Sequence, residues 1–333
     1  MNSCLWNRRE FVSAASACGL MGAAPVFGAS EPPPETRRIR LRRYPVDVAC
    51  VSPIWIAEEL LRTEGFDEVQ YLETTNAADL PRLAAGESDM GVSSLFGVLP
   101  YFDEGKPIVA IGGIHAGCFE LFAAGGIRTI RELKGKTVVV ANSSRRIFMF
   151  ALLAHVGLDP RKDVTFLERP GPEGIQLFAD GKADAFLGFS AEPHQLRAMK
   201  IGTSILSTTT DRPWSQYFCC TVNANRDFVA RYPVATKRAL RALLKATDIC
   251  AAEPERTART LVDRGFLKDY DKAATVLRDL PYKTWREFDV ADTVRFYGLR
   301  LRDVGEIKSS PQKLLAQGTD LRFFEQLKKE LKA

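Results

Sequence analysis

Apolar runs of four to six residues alternate with amphipathic stretches along most of the chain, and the alternation is written twice. Val48-Ala49-Cys50-Val51-Ser52 reads as an apolar strand, followed by helical periodicity over 53–64 and by Gly65-Phe66-Asp67. The same order recurs 92 positions later: Val140-Ala141-Asn142-Ser143-Ser144, a helical stretch over 145–156, then Gly157-Leu158-Asp159. The match continues with Val69-Gln70-Tyr71-Leu72-Glu73 against Val164-Thr165-Phe166-Leu167-Glu168. It ends with Leu83-Ala84-Ala85-Gly86-Glu87-Ser88-Asp89 against Phe178-Ala179-Asp180-Gly181-Lys182-Ala183-Asp184. Each copy is a β-α-β-α-β unit whose helices stop at glycine. Two similar α/β lobes with parallel-dominated sheets are therefore predicted.

Between and after the copies, 107–112 and 118–124 read as strands separated by Gly112-Gly113, and 214–222 as a return strand. Helices are expected over 233–252, 253–265, 291–304 and 320–331. This helical tail, which holds no third copy, should pack back on the first lobe and make it discontinuous. The expected organisation is lobe I from 36–118 plus 222–333, and lobe II from 119–221.

The long uncharged segment over 11–30 follows Arg8-Arg9 and is interrupted by Pro25. With small residues at Gly28-Ala29-Ser30, it reads as an export signal of the twin-arginine type, cut near 28–30, rather than a membrane span. The chain is then expected to be periplasmic. Forty-six basic against 41 acidic residues give a formal charge of +5, too even for a nucleic-acid surface. The basic run Arg37, Arg38, Arg40, Arg42, Arg43 is read as the solvated side of a first strand. Five cysteines follow the signal (Cys50, Cys118, Cys219, Cys220 and Cys250) without CxxC spacing, and are expected as buried free thiols. Cys219 and Cys220 should point to opposite faces of one strand.

Enzyme machinery is sparse. GxGxxG, Walker, HExxH and GxSxG patterns are all missing. His155, late in an amphipathic helix, is read as structural or as compensating the helix dipole. A metal set of His115, Cys118, Glu120 and His194 can be drawn, but its spacing is irregular; no metal and no cofactor are expected. Open α/β sheets bind ligands beyond the carboxyl ends of their strands. Those ends carry Ser52, Ser93 and Ser94 in one lobe, and Asn142, Ser143, Ser144, Phe189 and Ser190 in the other. With Trp55, His115, Arg145, Glu192 and Trp214 these form the expected ligand-binding set. Trp55 and Trp214 would wall the cleft, whereas Phe96 and Phe148 are assigned to the core. Arg145 and the helix N-termini favour a sulfonate or carboxylate, Glu192 a cation or amine-bearing heterocycle.

The export signal, Leu83-Ala84-Ala85-Gly86-Glu87-Ser88-Asp89, Leu133-Lys134-Gly135-Lys136-Thr137-Val138 and Phe178-Ala179-Asp180-Gly181-Lys182-Ala183-Asp184 together resemble the periplasmic solute-binding proteins of ABC importers. The nitrate/taurine/alkanesulfonate (SsuA-like) class is the nearest in pattern, and it shares its fold with thiamine-pyrimidine synthases. The resemblance implies a type II periplasmic-binding-protein fold: two lobes, two hinge crossings and closure on a small organic ligand, with an importer permease as partner. The protein would be a monomer without turnover. The crossings would fall at Gly117, Cys118 and Phe119, and from Phe218 through Cys219 to Thr221, making Cys118 and Cys219 neighbours. The enzyme branch of the same fold implies pyridoxal phosphate on a lysine, iron and a cysteine-rich motif. His115-Ala116-Gly117-Cys118-Phe119-Glu120 keeps only part of that motif.

Overall fold

The computed structural model describes residues 31–44, 48–75 and 78–332. The body is Pro34–Ala333; the export signal expected over 1–30 lies outside the described residues. In the body, β1 (Arg38–Arg43), β2 (Glu68–Glu73), β3 (Met90–Ser94) and β4 (Ile108–Ala116) belong to one sheet. A second sheet holds β5 (Phe119–Ala123), β6 (Lys136–Val140), β7 (Val164–Glu168), β8 (Ala185–Phe189) and β9 (Thr203–Ser207). Strand β10 (Phe218–Asn225) returns to the first sheet. The strand orders are β2-β1-β3-β10-β4 and β7-β6-β8-β5-β9. In each, three parallel strands come from one repeat, and an antiparallel strand (β10 or β5) enters beside the third. The two orders are the same topology used twice.

Helices α1 (Pro53–Thr63), α2 (Asp79–Ala84) and α3 (Leu95–Asp103) accompany the first sheet. The second is accompanied by α4 (Ser143–His155), α5 (Gly171–Ala179) and α6 (Glu192–Ala198). The repeat extends to the helix ends. Gly65 and Gly157 adopt φ of 101° and 79°. The next residue's N–H then turns back: Phe66 donates to the Leu61 carbonyl and Leu158 to that of Leu153, both at 3.0 Å. A glycine is needed there because an L side chain resists the left-handed region.

The tail forms α7 (Arg226–Arg231), α8 (Pro233–Ala252), α9 (Pro254–Asp263), α10 (Tyr270–Asp279), α11 (Val290–Asp303), α12 (Pro311–Gly318) and α13 (Arg322–Glu330). Helices α7, α10 and α12 were not anticipated. Most of the tail packs on the first sheet and its helices, α8 against α1 and α13 against β4, but α11 also packs on α4. One large core runs through both sheets, and a smaller cluster of Phe122, Val139, Ile175, Phe178, Ala183, Phe186 and Leu196 lies under α5 and α6. No helix among the described residues is long and apolar enough to cross a membrane.

Several expectations are corrected. The segment 48–52 is a buried 3₁₀ turn at Ala49–Val51, because the strand of the first copy is β1. Strand β4 passes unbroken through Gly112-Gly113, paired with β10 on one side, and the break falls at Gly117-Cys118 instead. The return strand starts at Phe218, after a 3₁₀ turn at Trp214–Gln216. Arg42 is not solvated: it is 1% exposed and bonded to Asp79 at 2.7 Å.

His155 closes α4, and its Nδ1 accepts a hydrogen bond from the Arg300 guanidinium at 2.9 Å. Partial burial and the Arg300 charge both lower its pKa, so it serves as a neutral acceptor and not as a positive charge on the helix dipole. In an NMR titration its imidazole should protonate below the ordinary value of 6.5; a midpoint above that would contradict this reading. The folded pKa is depressed, so the neutral form's stabilisation is present above 6.5 and is lost as pH falls through the lower value.

Candidate functional site

Where the carboxyl edge of the second sheet meets the tail, a cavity of about 290 Å³ opens. Its floor is Cys118, Phe119 and Glu120 at the start of β5, with Ser190 beyond β8 and Ser207, Thr209 and Thr210 at the end of β9. Helix α6 contributes Pro193, His194 and Arg197, and α10 closes the far side with Val276, Asp279 and Leu280. The chain enters this edge through Gly117 and Cys118, at φ of 88° and 89°. A left-handed cysteine is strained, and such strain is held in place only where the surroundings over-determine it.

Glu120 is buried and ion-paired with Arg197, and His194 Nε2 lies 3.2 Å from Asp279, joining α6 to α10. Ser190 also has a left-handed φ, 56°, and its buried hydroxyl has no hydrogen-bond partner. A buried unpaired hydroxyl is costly, so a donor and acceptor is held ready at the cavity wall.

Of the ligand set expected from sequence, Ser190 alone lines this cavity, together with Cys118 from the expected hinge. Ser94 and Ser144 do meet, Oγ to Oγ at 3.2 Å, so the carboxyl edges of the two sheets face each other. The space beside them is filled by Phe96, Phe119, Phe148, Trp214 and Tyr297 packed ring on ring. Phe96 and Phe148 are core, as expected; Trp214 joins them and does not wall a cleft. Trp55 is likewise fully buried, stacked on Phe266 with centroids 5.2 Å apart. Phe189 lies partly buried beneath the Arg145 guanidinium.

The polar members of the set have internal partners. Arg145 and Glu192, expected to hold opposite kinds of ligand charge, bond each other at 2.6 Å, and Glu192 also accepts the Phe189 N–H at 2.9 Å. Asn142 caps α4 by accepting the Arg145 N–H at 3.0 Å, while Ser143 is exposed at the same helix start. Ser52 donates to the Ala49 carbonyl, and Ser93 accepts from Arg42 at 2.8 Å. Sequence reading missed Arg197, Thr209, Thr210 and Asp279. The polar run Thr208-Thr209-Thr210-Asp211 marks a strand end as clearly as Phe189-Ser190 does, but β9 itself was not read as a strand.

Behind Cys118 the other thiols converge. His115 is on β4, fully buried, and not in a loop. Cys50 approaches from the 3₁₀ turn before α1, and Cys220 from β10. A register shift in β10 between Phe218 and Cys220 sets Cys219 out of the pairing. Bulges of this kind re-aim side chains, and the Sγ atoms of Cys219 and Cys220 lie 3.8 Å apart, contrary to the opposite-face expectation. All five described cysteines are free and buried. The second link between the sheets is 208–217, just ahead of Cys219. Burial alone would lower the His115 pKa, yet the Cys220 and Cys50 sulfurs raise it to about 10. Burial and its thiol neighbours push Cys118 up, whereas contacts with Cys118 and Cys220 draw Cys219 down against burial.

Comparison with known proteins adds to this geometry. The family model described as NMT1/THI5 like matches residues 60–257. A Saccharomyces cerevisiae protein named 4-amino-5-hydroxymethyl-2-methylpyrimidine phosphate synthase THI13 is 24% identical over 228 residues, 63% of this chain and 66% of its own length. The chain thus spans slightly under two thirds of that relative. The periplasmic nitrate-binding protein NrtA of Synechocystis superposes with a TM-score of 0.70 at 14% identity, covering 90% of both chains. The putative periplasmic sulfonate-binding protein SsuA of Methylobacillus flagellatus gives 0.67 at 18% identity, covering 88% of this chain and 94% of its own. The periplasmic-binding-protein fold is shared at this level.

Proposed function

The chain belongs to the NMT1/THI5-like family, and from that premise we propose that it is the exported solute-binding component of an ABC importer, capturing a small polar organic solute for a membrane permease. The observation that carries the reading is the partnerless Ser190 hydroxyl at the cavity wall, on the strand edge where α/β sheets bind ligands. The cavity volume is at the small end for organic ligands. Hydroxyls of Ser190, Thr209 and Thr210 offer directional bonds, and Glu120 is neutralised by Arg197. The His194–Asp279 contact joins α6 to α10 at the cavity, so a ligand touching both helices favours the closed arrangement by adding contacts on both sides.

The yeast relatives' name favours a second reading, a pyrimidine synthase. Its pyridoxal phosphate, held through a lysine, does not fit the cavity, whose lining contains no lysine.

A thermal-shift screen from residue 31 onward should separate the two. Sulfonates, carboxylates, nitrate, pyrimidines and pyridoxal phosphate would be tested. A true ligand at about 100 times its Kd adds about 2.7 kcal/mol, a shift of several degrees. Ser190→Ala should weaken that ligand about tenfold, the worth of one hydrogen bond in a dry site. A shift with pyridoxal phosphate alone, accompanied by the absorbance of a lysine adduct, would replace the receptor with the enzyme.

A further inference from the structure

We propose that Cys50, His115, Cys118 and Cys220 form a closed four-ligand site for a thiophilic d10 cation, zinc being the probe, at the junction of the two sheets. One ligand atom from each of the four lies within 4.8 Å of all the others, and all four residues are buried. A tetrahedral zinc site with bonds of about 2.3 Å to sulfur and 2.0 Å to nitrogen puts its ligand atoms about 3.5–3.8 Å apart. The Cys118 Sγ is already 3.9 Å from the His115 ring nitrogens, so closing the site takes shifts of about 1 Å or less.

The residues come from separate segments, so their meeting is a product of the fold. Two local irregularities bring them in: the left-handed backbone at Cys118 and the bulge before Cys220. Neither is needed to build a sheet. The His115 ring carries a further sign. Its Nδ1 is 2.8 Å from the Ala116 carbonyl and its Nε2 is 3.1 Å from that of Cys50. A cation would take the neutral imidazole: Nδ1–H stays on Ala116, the usual outer support of a ligating histidine, and Nε2 turns from the Cys50 carbonyl to the ion.

Three sulfurs and one nitrogen select a soft tetrahedral ion, and zinc outcompetes ferrous iron at such a set. With no ligand position left open, the ion's part is to tie elements together: the turn before α1, the end of β4, the first crossing and β10. Access is through Cys118, which is 7% exposed and lines the cavity.

The test uses residues 31–333, purified reduced. Dialysis against zinc, then buffer, should leave about one equivalent bound, and cobalt(II) should give the intense visible bands of a tetrahedral site with thiolate charge transfer. Cys50→Ser and Cys220→Ser should each lower zinc affinity at least tenfold and weaken the charge-transfer band. Cys250→Ser, a buried cysteine outside the set, should do neither. Should a ligand variant fail to fold, the cobalt spectrum of the unsubstituted protein still decides. Weak octahedral bands, no retained zinc, ferrous iron held in preference to zinc, or an equal loss in Cys250→Ser would each overturn the site.

Discussion

Replacing Asp79 with alanine should destabilise the protein by about 3–5 kcal/mol, because the Arg42 charge would be left in the interior without a counter-ion. Arg42 alternates inward from β1; its guanidinium is ion-paired with Asp79 at 2.7 Å and donates hydrogen bonds to Ser93 at 2.8 Å and Tyr44 at 2.9 Å. Gly91 leaves the room it needs: a Cβ there would come within 1.9 Å of Arg42 Nε. Equilibrium urea unfolding measures the loss. The paired replacement Arg42→Met with Asp79→Leu should recover most of it, since two apolar groups of similar size leave no charge to desolvate. A loss below about 1 kcal/mol in the single variant would show that water reaches Arg42.

Trp55→Ala is the second large effect, about 3–5 kcal/mol from lost burial and the cavity left against Phe266. Ligand affinity should not change, because Trp55 is buried against Phe266 and is not among the residues lining the cavity. Trp55→Phe should cost much less, below about 1.5 kcal/mol, because the buried indole N–H has no partner to lose. Unfolding and ligand titration of both variants check this. A drop in affinity with stability intact would return Trp55 to the role of a cleft wall.

The parts of the fold that were legible are those carried by local periodicity. Helix stops at Gly65, Gly86, Gly157 and Gly181 recur in register, and their left-handed backbone makes each glycine a structural requirement. The repeat therefore predicted the doubled topology, and four tail helices were found within one or two residues. What failed depended on distant partners. The Arg37–Arg43 run looks solvated until Asp79, far along the chain, is known to meet Arg42. Arg145 and Glu192 looked like two ligand groups because nothing local shows that they neutralise each other. The thiol cluster was half drawn: the set taken from sequence had His115 and Cys118 but put Glu120 and His194 where Cys50 and Cys220 stand, because bulge and strain leave no periodic trace. Of the cavity, Ser190 was reachable by the strand-end rule; α10 was not, although Asp269 caps it in the ordinary way by accepting the Lys272 N–H at 3.0 Å.

The strand order also sets a sequence of events during synthesis. Every strand of the second sheet lies within 119–207, so that sheet can be completed from one continuous stretch of chain. In the first sheet, the strand neighbour of β4 is β10, which the ribosome makes roughly a hundred residues later, and the Thr319 bridge on its other edge comes later still. At about 5–20 residues per second, the fully apolar-facing β4 waits on the order of 5–20 seconds with both edges unpaired. The nascent chain therefore passes through a stage in which one half is finished and the other presents an open template, and this is the window in which a chaperone or a neighbouring nascent chain would engage it.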